Sequence, residues 1–226
     1  MNKNPICAAP FTEVEIDENG NVNCCCMQYT NSYFFGNIFE QSFDAVWNGK
    51  KAKDFRQNII DGKYTHCNRE ICNFGRLKPY TESPSLIAPY PKFVTIAYDR
   101  TCNLMCTTCR DYILRESKFS NEELNENIEK YYLPICQNAD ELVLNSIGEC
   151  LISKHSRTLI KKSAEKYPDL KFNIMTNGIA CNEIVLKNLG LLNKLSAVQV
   201  SIHAATETTY NKITRTGNFK CVMKNL

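Results

Sequence analysis

Cys102, Cys106 and Cys109 fall within the eight residues Cys102-Asn103-Leu104-Met105-Cys106-Thr107-Thr108-Cys109, directly after a strand-like run over Lys92–Asp99. Three thiolates on one short loop can grip a single metal centre. Iron–sulfur clusters are usually held by four cysteine thiolates. A loop that offers three leaves one iron with an open coordination site, as a catalytic metal centre requires. The whole chain carries 13 cysteines in 226 residues, and Met1-Asn2-Lys3-Asn4-Pro5 lacks the apolar core of a signal peptide. A secreted disulfide scaffold would be shorter and would favour an even count. Free thiols of a reducing cytosol, some ligating metal, fit better, so the expected compartment is cytoplasmic. Cys136, Cys181 and Cys221, which stand alone, read as small apolar core residues.

Composition narrows the remainder. The 43% hydrophobic and 23% charged fractions are those of a globular protein. No apolar run approaches the roughly 18–20 residues of a membrane span. A net charge of +3, with no basic cluster interleaved with aromatics, gives no case for nucleic acid. Four of the eight prolines (Pro79, Pro84, Pro89, Pro91) lie between Leu77 and Lys92. Proline fixes φ and biases its predecessor to extended geometry. The stretch 79–91 therefore reads as a linker between a cysteine-rich segment, 1–78, and a second segment, 92–226.

The second segment alternates strand and helix. Strands are expected over Lys92–Asp99, Glu141–Asn145, Lys171–Thr176 and Ala197–His203. Helices are expected after the capping box Ser120-Asn121-Glu122-Glu123, with Leu124, Ile128, Tyr132 and Ile135 on one face, and then over Ser156–Tyr167 and Glu183–Asn193. A last helix carries Phe219, Val222, Met223 and Leu226 at i, i+3, i+4, i+7. The fold class is α/β, a partial (β/α) barrel with parallel strands and right-handed crossovers, preceded by a small α+β cysteine-rich domain. Four β/α units cannot close a barrel, so a truncated protein, or strands supplied from elsewhere, is expected.

In a β/α barrel, chemistry collects at the C-terminal ends of the strands. The C-x3-C-x2-C loop, with Asn103-Leu104 after its first cysteine, closely resembles the cluster motif of the radical S-adenosylmethionine (SAM) enzymes. Ser146-Ile147-Gly148-Glu149-Cys150 is similar to that family's Gly-Gly-Glu motif, Met175-Thr176-Asn177-Gly178 to its Thr-Asn-Gly turn, and Ser201-Ile202-His203 to its Ser-Ile-Asp. Each match alone is weak, since Thr-Asn-Gly is usually just a turn and Gly-Glu a loop acid. Four in order, at strand–helix intervals, are much harder to obtain by chance. The resemblance covers residues 92 to about 220. It departs at Thr108, where an aromatic is usual, and at Ile147 and Cys150. Arg110 and Arg215 read as solvated arginines, and His155 and His203 as ordinary polar contacts.

The resemblance implies that Cys102, Cys106 and Cys109 hold a 4Fe–4S cluster that is also the catalytic centre. Gly148, Glu149, Thr176, Asn177 and Ser201 would bind SAM, with the Glu149 carboxylate on its amino group. It implies reductive cleavage of SAM to a 5′-deoxyadenosyl radical under anaerobic conditions, with an electron donor such as a flavodoxin or ferredoxin and no nucleic-acid or membrane partner. Upstream, Cys7-x12-Gly20-x4-Cys25, with Gly36-Asn37-Ile38 and Trp47-Asn48-Gly49 further on, looks like the SPASM or Twitch auxiliary cluster domain of these enzymes. Cys7, Cys25, Cys67 and Cys72 would hold an auxiliary 4Fe–4S cluster. Four thiolates equally suit a closed zinc site, and any of Cys24, Cys25 and Cys26 can serve. SPASM relatives often act on peptides or proteins, which suggests such a substrate. The alternative class is a non-enzymatic iron–sulfur or zinc protein for electron transfer, redox sensing or structural support.

Overall fold

Short turns and buried alternate residues set the architecture, seen in a computed structural model that describes residues 6–72, 80–97, 99–115, 120–144 and 147–226. The chain divides into two units, Met1–Thr95 and Ile96–Leu226.

Unit 1 begins with the single turn α1 (Ala9–Thr12) and continues through β1 (Glu13–Asp17), β2 (Asn21–Asn23), β3 (Gly36–Asn37), α2 (Phe43–Trp47) and α3 (Lys50–Ile60). Strands β1 and β2 pair antiparallel with Ile16 opposite Val22, and β2 pairs antiparallel with β3. A tight turn joins β1 to β2. Asp17 Oδ1 accepts from the N–H groups of Asn19 and Asn21, and Gly20 supplies φ +80°. In α2, Ser42 Oγ accepts from the N–H of Ala45 at 3.3 Å. Helix α3 closes at Gly62, φ +71°, whose N–H donates to Ile59 O while that of Lys63 reaches Asn58 O.

The core of unit 1 is aromatic, with Phe35 5.6 Å from Phe55 and 6.2 Å from Trp47 between ring centroids. Each large apolar side chain so buried stabilises the fold by roughly 1.5–3 kcal/mol. Arg56, 0% exposed, runs through this core with its guanidinium 4.5 Å over the Trp47 ring. The proline-rich stretch lies along the same unit. Trp47 Nε1 donates to Pro89 O at 2.7 Å, Arg56 Nη1 to Leu86 O at 3.0 Å, and Ala88 N–H to Asn48 Oδ1 at 3.0 Å. Pro79 is outside the described residues, as are residues 73–78 at the end of the first expected segment.

The division between units falls within β4 (Phe93–Ala97), and Tyr98 is outside the described residues. Unit 2 continues with α4 (Asn121–Asn127), a π-helical turn over Ile128–Tyr132, α5 (Leu133–Cys136), β5 (Glu141–Leu144), α6 (Lys154–Lys166), β6 (Lys171–Thr176), α7 (Glu183–Asn188), β7 (Leu195–Val200), α8 (Glu207–Thr214) and α9 (Phe219–Asn225). Strands β5, β6 and β7 run parallel, with Leu144 opposite Ile174 and Thr176 opposite Val200. This is an α/β arrangement, compatible with part of an α/β barrel.

Several elements differ from expectation for identifiable reasons. The helix over Leu124, Ile128, Tyr132 and Ile135 buries all four, yet it passes through a π turn, and Pro134 follows with no N–H to continue an α ladder. Helix α7 stops at Asn188 rather than Asn193. Gly190, φ +73°, turns the chain, and Leu191 N–H closes on Leu186 O. Strand β7 ends at Val200, whose carbonyl accepts from Ile202 N–H. Helix α8, rich in threonine, was not foreseen; its N-cap is Thr206, accepting from Thr209 N–H.

Candidate functional site

The two cysteine-rich sites lie in different units. In unit 2, the cysteine loop is held by backbone bonds along its length. Cys102 N–H donates to Leu114 O, Met105 N–H to Thr214 O, and Thr107 N–H to Ile213 O. Cys109 N–H and Arg110 N–H both turn back onto Cys106 O. Cys106 is buried, Cys102 half-buried and Cys109 exposed. Burial raises the thiol pKa of Cys102 and Cys106, and the neighbouring loop cysteines raise both further. The three sulfurs thus lie within electrostatic reach of one another. Thr108 is exposed.

Arg110 is not the solvated arginine expected. Its Nη1 donates to Arg100 O at 2.6 Å and its Nη2 to Ile147 O at 2.5 Å, so it clamps the loop after β4 to the loop after β5. Arg215 is exposed and stands 4.0 Å from Asp111.

The loop after β5 reaches the cysteine loop through close backbone approach. A Cβ on Gly148 would stand 2.5 Å from both Asp99 O and Thr101 O, so only glycine fits there. Ser146 is outside the described residues. Next to the glycine, Glu149 is 1% exposed and donates its N–H to Thr101 O at 2.7 Å. Its Oε1 accepts from Thr176 Oγ1 at 2.7 Å and from Leu151 N–H at 3.2 Å. Its Oε2 accepts from Asn177 N–H at 2.6 Å. Burial raises the carboxyl pKa, and these three bonds oppose the rise.

The chain of contacts continues in both directions. Asn177 Nδ2 donates to Asn103 Oδ1 in the cysteine loop at 2.8 Å, and Ser201 N–H donates to Thr176 O at 2.9 Å. Thus Cys102, Cys106 and Cys109, Gly148 and Glu149, Thr176 and Asn177, and Ser201 come together at the ends of their strands. His203 Nε2 stands 3.9 Å from Cys106 Sγ. Cys150 is buried, with its thiol on Met175 O.

Two residues in this network carried no motif. Asp99 is buried, and its Oδ1 accepts from both Thr101 N–H (2.9 Å) and Thr101 Oγ1 (2.7 Å). Its Oδ2 accepts from Ser153 Oγ, which in turn caps α6 by accepting from Ser156 N–H. The Asp-x-Thr spacing, an Asx-type turn, is the sequence signal that could have found the first of them. His155 is buried beside them, and its Nδ1 has no hydrogen-bond partner among the described residues. It does not make the polar contact expected of it at that atom.

In unit 1, Cys7, Cys25, Cys67 and Cys72 come from four separated positions. Burial pushes the Cys7 thiol up to about 12, and Cys25 and Cys67 raise it further. Cys67 is pushed up to about 11 by burial, then by Cys25 and Cys72. Cys72 is raised by burial and by Cys25 and Cys26. Cys24 is also within this group: it is buried, its Sγ is 3.8 Å from Cys25 Sγ, and burial raises its pKa. Such a set of buried thiols resists ionisation until a cation compensates the charge. Among the described residues, no three His, Cys, Asp or Glu side chains are grouped closely enough to hold a single metal ion.

The comparison with known families suggests an iron–sulfur cluster protein. Residues 7–73 match the SPASM family, an iron–sulfur cluster-binding domain. No curated protein matches the chain. Among the described residues no helix is long and apolar enough to cross a membrane.

Proposed function

We propose that the chain is a radical SAM enzyme whose loop cysteines hold the SAM-binding 4Fe–4S cluster and whose unit 1 holds an auxiliary cluster. The observation that carries this reading is the hydrogen-bonded series from Asn103 through Asn177, Glu149 and Thr176 to Ser201. It joins four strand-end motifs that a merely structural cysteine loop would not require. The SPASM match over residues 7–73 supports it further, since that domain is typical of radical SAM enzymes.

Cys102, Cys106 and Cys109 would hold the cluster, which when bound supplies the electron that breaks a C–S bond of SAM. The residues around it bind and orient. A carboxylate has about four acceptor positions. Three bonds occupy Glu149, which leaves one on Oε2 for the SAM ammonium. Gly148 admits no side chain between the two loops, and Arg110 fixes their separation through two carbonyls. A peptide or protein substrate and a flavodoxin- or ferredoxin-type donor complete the proposal.

The test is anaerobic reconstitution with iron and sulfide, reduction with dithionite, and measurement of 5′-deoxyadenosine formed from SAM. Formation by the parent, and none by a Cys102→Ala variant, is expected. A parent that keeps its iron and forms no 5′-deoxyadenosine overturns the reading. It would favour instead a non-enzymatic iron–sulfur protein, a second reading that one observation supports: the Glu149 carboxylate is buried and accepts three bonds from the chain's own donors.

A further inference from the structure

Among the described residues, His203 is the imidazole that meets a cysteine of the loop, with Nε2 3.9 Å from Cys106 Sγ. The contact is braced on both sides. Before His203, Ser201 N–H is tied to Thr176 O at 2.9 Å, and Ile202 N–H turns back onto Val200 O at 3.0 Å. After it, α8 ends with the carbonyls of Ile213 and Thr214, which accept from Thr107 and Met105 on either side of Cys106. The segment carrying the imidazole is therefore fastened to β6 ahead of His203 and, through the end of α8, to the loop carrying the thiol beyond it.

We propose that His203 is a positioning residue whose Nε2–H donates to Cys106 Sγ and makes a cluster held by Cys102, Cys106 and Cys109 easier to reduce. This rests on the radical SAM reading of that loop. A ligating thiolate has no proton, so it can only accept. The bond then requires the imidazole to carry its hydrogen on Nε2, whichever tautomer the free chain prefers. Reduction adds negative charge that the cysteine sulfurs share, so a donor bond strengthens in the reduced state and raises the potential, as hydrogen bonds to cluster sulfurs do. Cys106 is 8% exposed, and a bond in so dry a place counts for more than one in water. An acidic side chain at position 203 would act in the reverse sense.

The experiment is EPR-monitored redox titration of the reconstituted full chain, following the reduced-cluster signal that Cys102→Ala removes. His203→Ala is expected to keep the parent iron content and to lower the midpoint by about 59 mV, a tenfold change in a one-electron equilibrium. His203→Gln, which retains an N–H donor, is expected to fall between the two. A His203→Ala protein with parent iron and parent midpoint overturns this inference and leaves the cluster assignment standing. A parent chain with no reducible signal that depends on Cys102 overturns both. Should His203→Ala fail to take up iron, His203→Gln decides by the same criteria, an unshifted midpoint overturning the proposal.

Discussion

The two cysteine-rich sites are built on opposite plans. In unit 1, Cys7, Cys25, Cys67 and Cys72 are spread over most of the unit, and Cys7 and Cys67 are pushed up to about 12 and about 11 by burial. In unit 2 all three loop cysteines lie within eight residues, and they grade from buried Cys106 to exposed Cys109. A metal bound by distant, buried thiols closes several segments at once, so its binding energy is also folding energy. A metal on one exposed-edge loop depends instead on how neighbouring loops place that loop. The first plan suits a permanent structural or electron-carrying group, and the second an accessible reactive one.

The largest effect that could break this contrast is loss of the loop thiols. Replacing Cys102, Cys106 and Cys109 together with Ala should abolish 5′-deoxyadenosine formation, while iron falls from about eight to about four per chain, one 4Fe–4S cluster remaining. Thermal unfolding of the variant should change little. A variant with no iron at all would show the two sites to be interdependent, and one that still cleaves SAM would remove the enzyme reading.

Arg56 tests the opposite side, the fixed framework of unit 1. Its Nε donates to Pro10 O at 2.8 Å in a buried bond, and its Nη1 to Asn48 Oδ1 and Leu86 O in part-buried ones. Burial lowers its pKa to about 10, still charged at neutral pH. Arg56→Leu keeps the apolar bulk and strands the buried Pro10 carbonyl, so about 1–3 kcal/mol should be lost in denaturant unfolding. Unchanged stability would mean that the stretch carrying Leu86 is held by packing alone.

Glu149 carries a smaller, double-edged prediction in unit 2. Glu149→Gln should weaken SAM binding by about 10- to 100-fold, the worth of one charge-assisted hydrogen bond of about 1.5–3 kcal/mol. Iron content should not change. Burial also raises the carboxyl pKa from its usual 4.5. The folded chain thus holds that proton more tightly than the unfolded one. Its stabilising share is intact below pH 4.5 and is lost as pH rises through the folded value. Across that interval the parent should lose stability relative to Glu149→Gln, and a pH-independent difference would contradict the burial argument. Equal SAM affinities would detach the loop from SAM.

Much of this was readable from residue spacing. Strand Lys171–Thr176 and the capping box at Ser120 follow local rules that tertiary packing did not override. The α7 boundary was missed because Leu191 and Leu192 continue an apolar pattern that Gly190 had already terminated. The strand-end motifs could be placed in order, but their mutual bonds depend on long-range contact: Asn103 and Asn177 are 74 residues apart and Cys106 and His203 are 97 apart. Ser153 was invisible for the same reason, its bond to Asp99 spanning 54 residues, although the Asp-x-Thr spacing marked Asp99 itself.

The finest distinction lies within Cys24-Cys25-Cys26, where sequence left three candidates and the geometry ranks them. Cys25 is the shared neighbour: its charge acts on Cys7, Cys24, Cys67 and Cys72 alike. Cys24 is fully buried against it, and Cys7 and Cys67 act on its thiol as well. Cys26 is half-buried, and besides burial the charges raising its thiol are those of Glu15 and Cys25, with Cys7 and Cys67 not among them. It also precedes the 3-10 turn Met27–Thr30, which draws its backbone away with Tyr29 N–H on Cys26 O at 2.8 Å. Cys25→Ala should therefore cost unit 1 its iron, about four atoms for one cluster. Cys24→Ala should keep the iron and lose about 1 kcal/mol of stability, as removal of a small buried side chain does. Cys26→Ala should leave iron content, absorbance and unfolding midpoint at parent values. The measurement is iron per chain after anaerobic reconstitution of each single variant in the Cys102→Ala background, so that the loop contributes none. Iron lost with Cys26 and retained without Cys25 would move the ligand by one residue. Since adjacent side chains on an extended backbone face opposite ways, it would also require the chain after β2 to leave the hairpin on its other side.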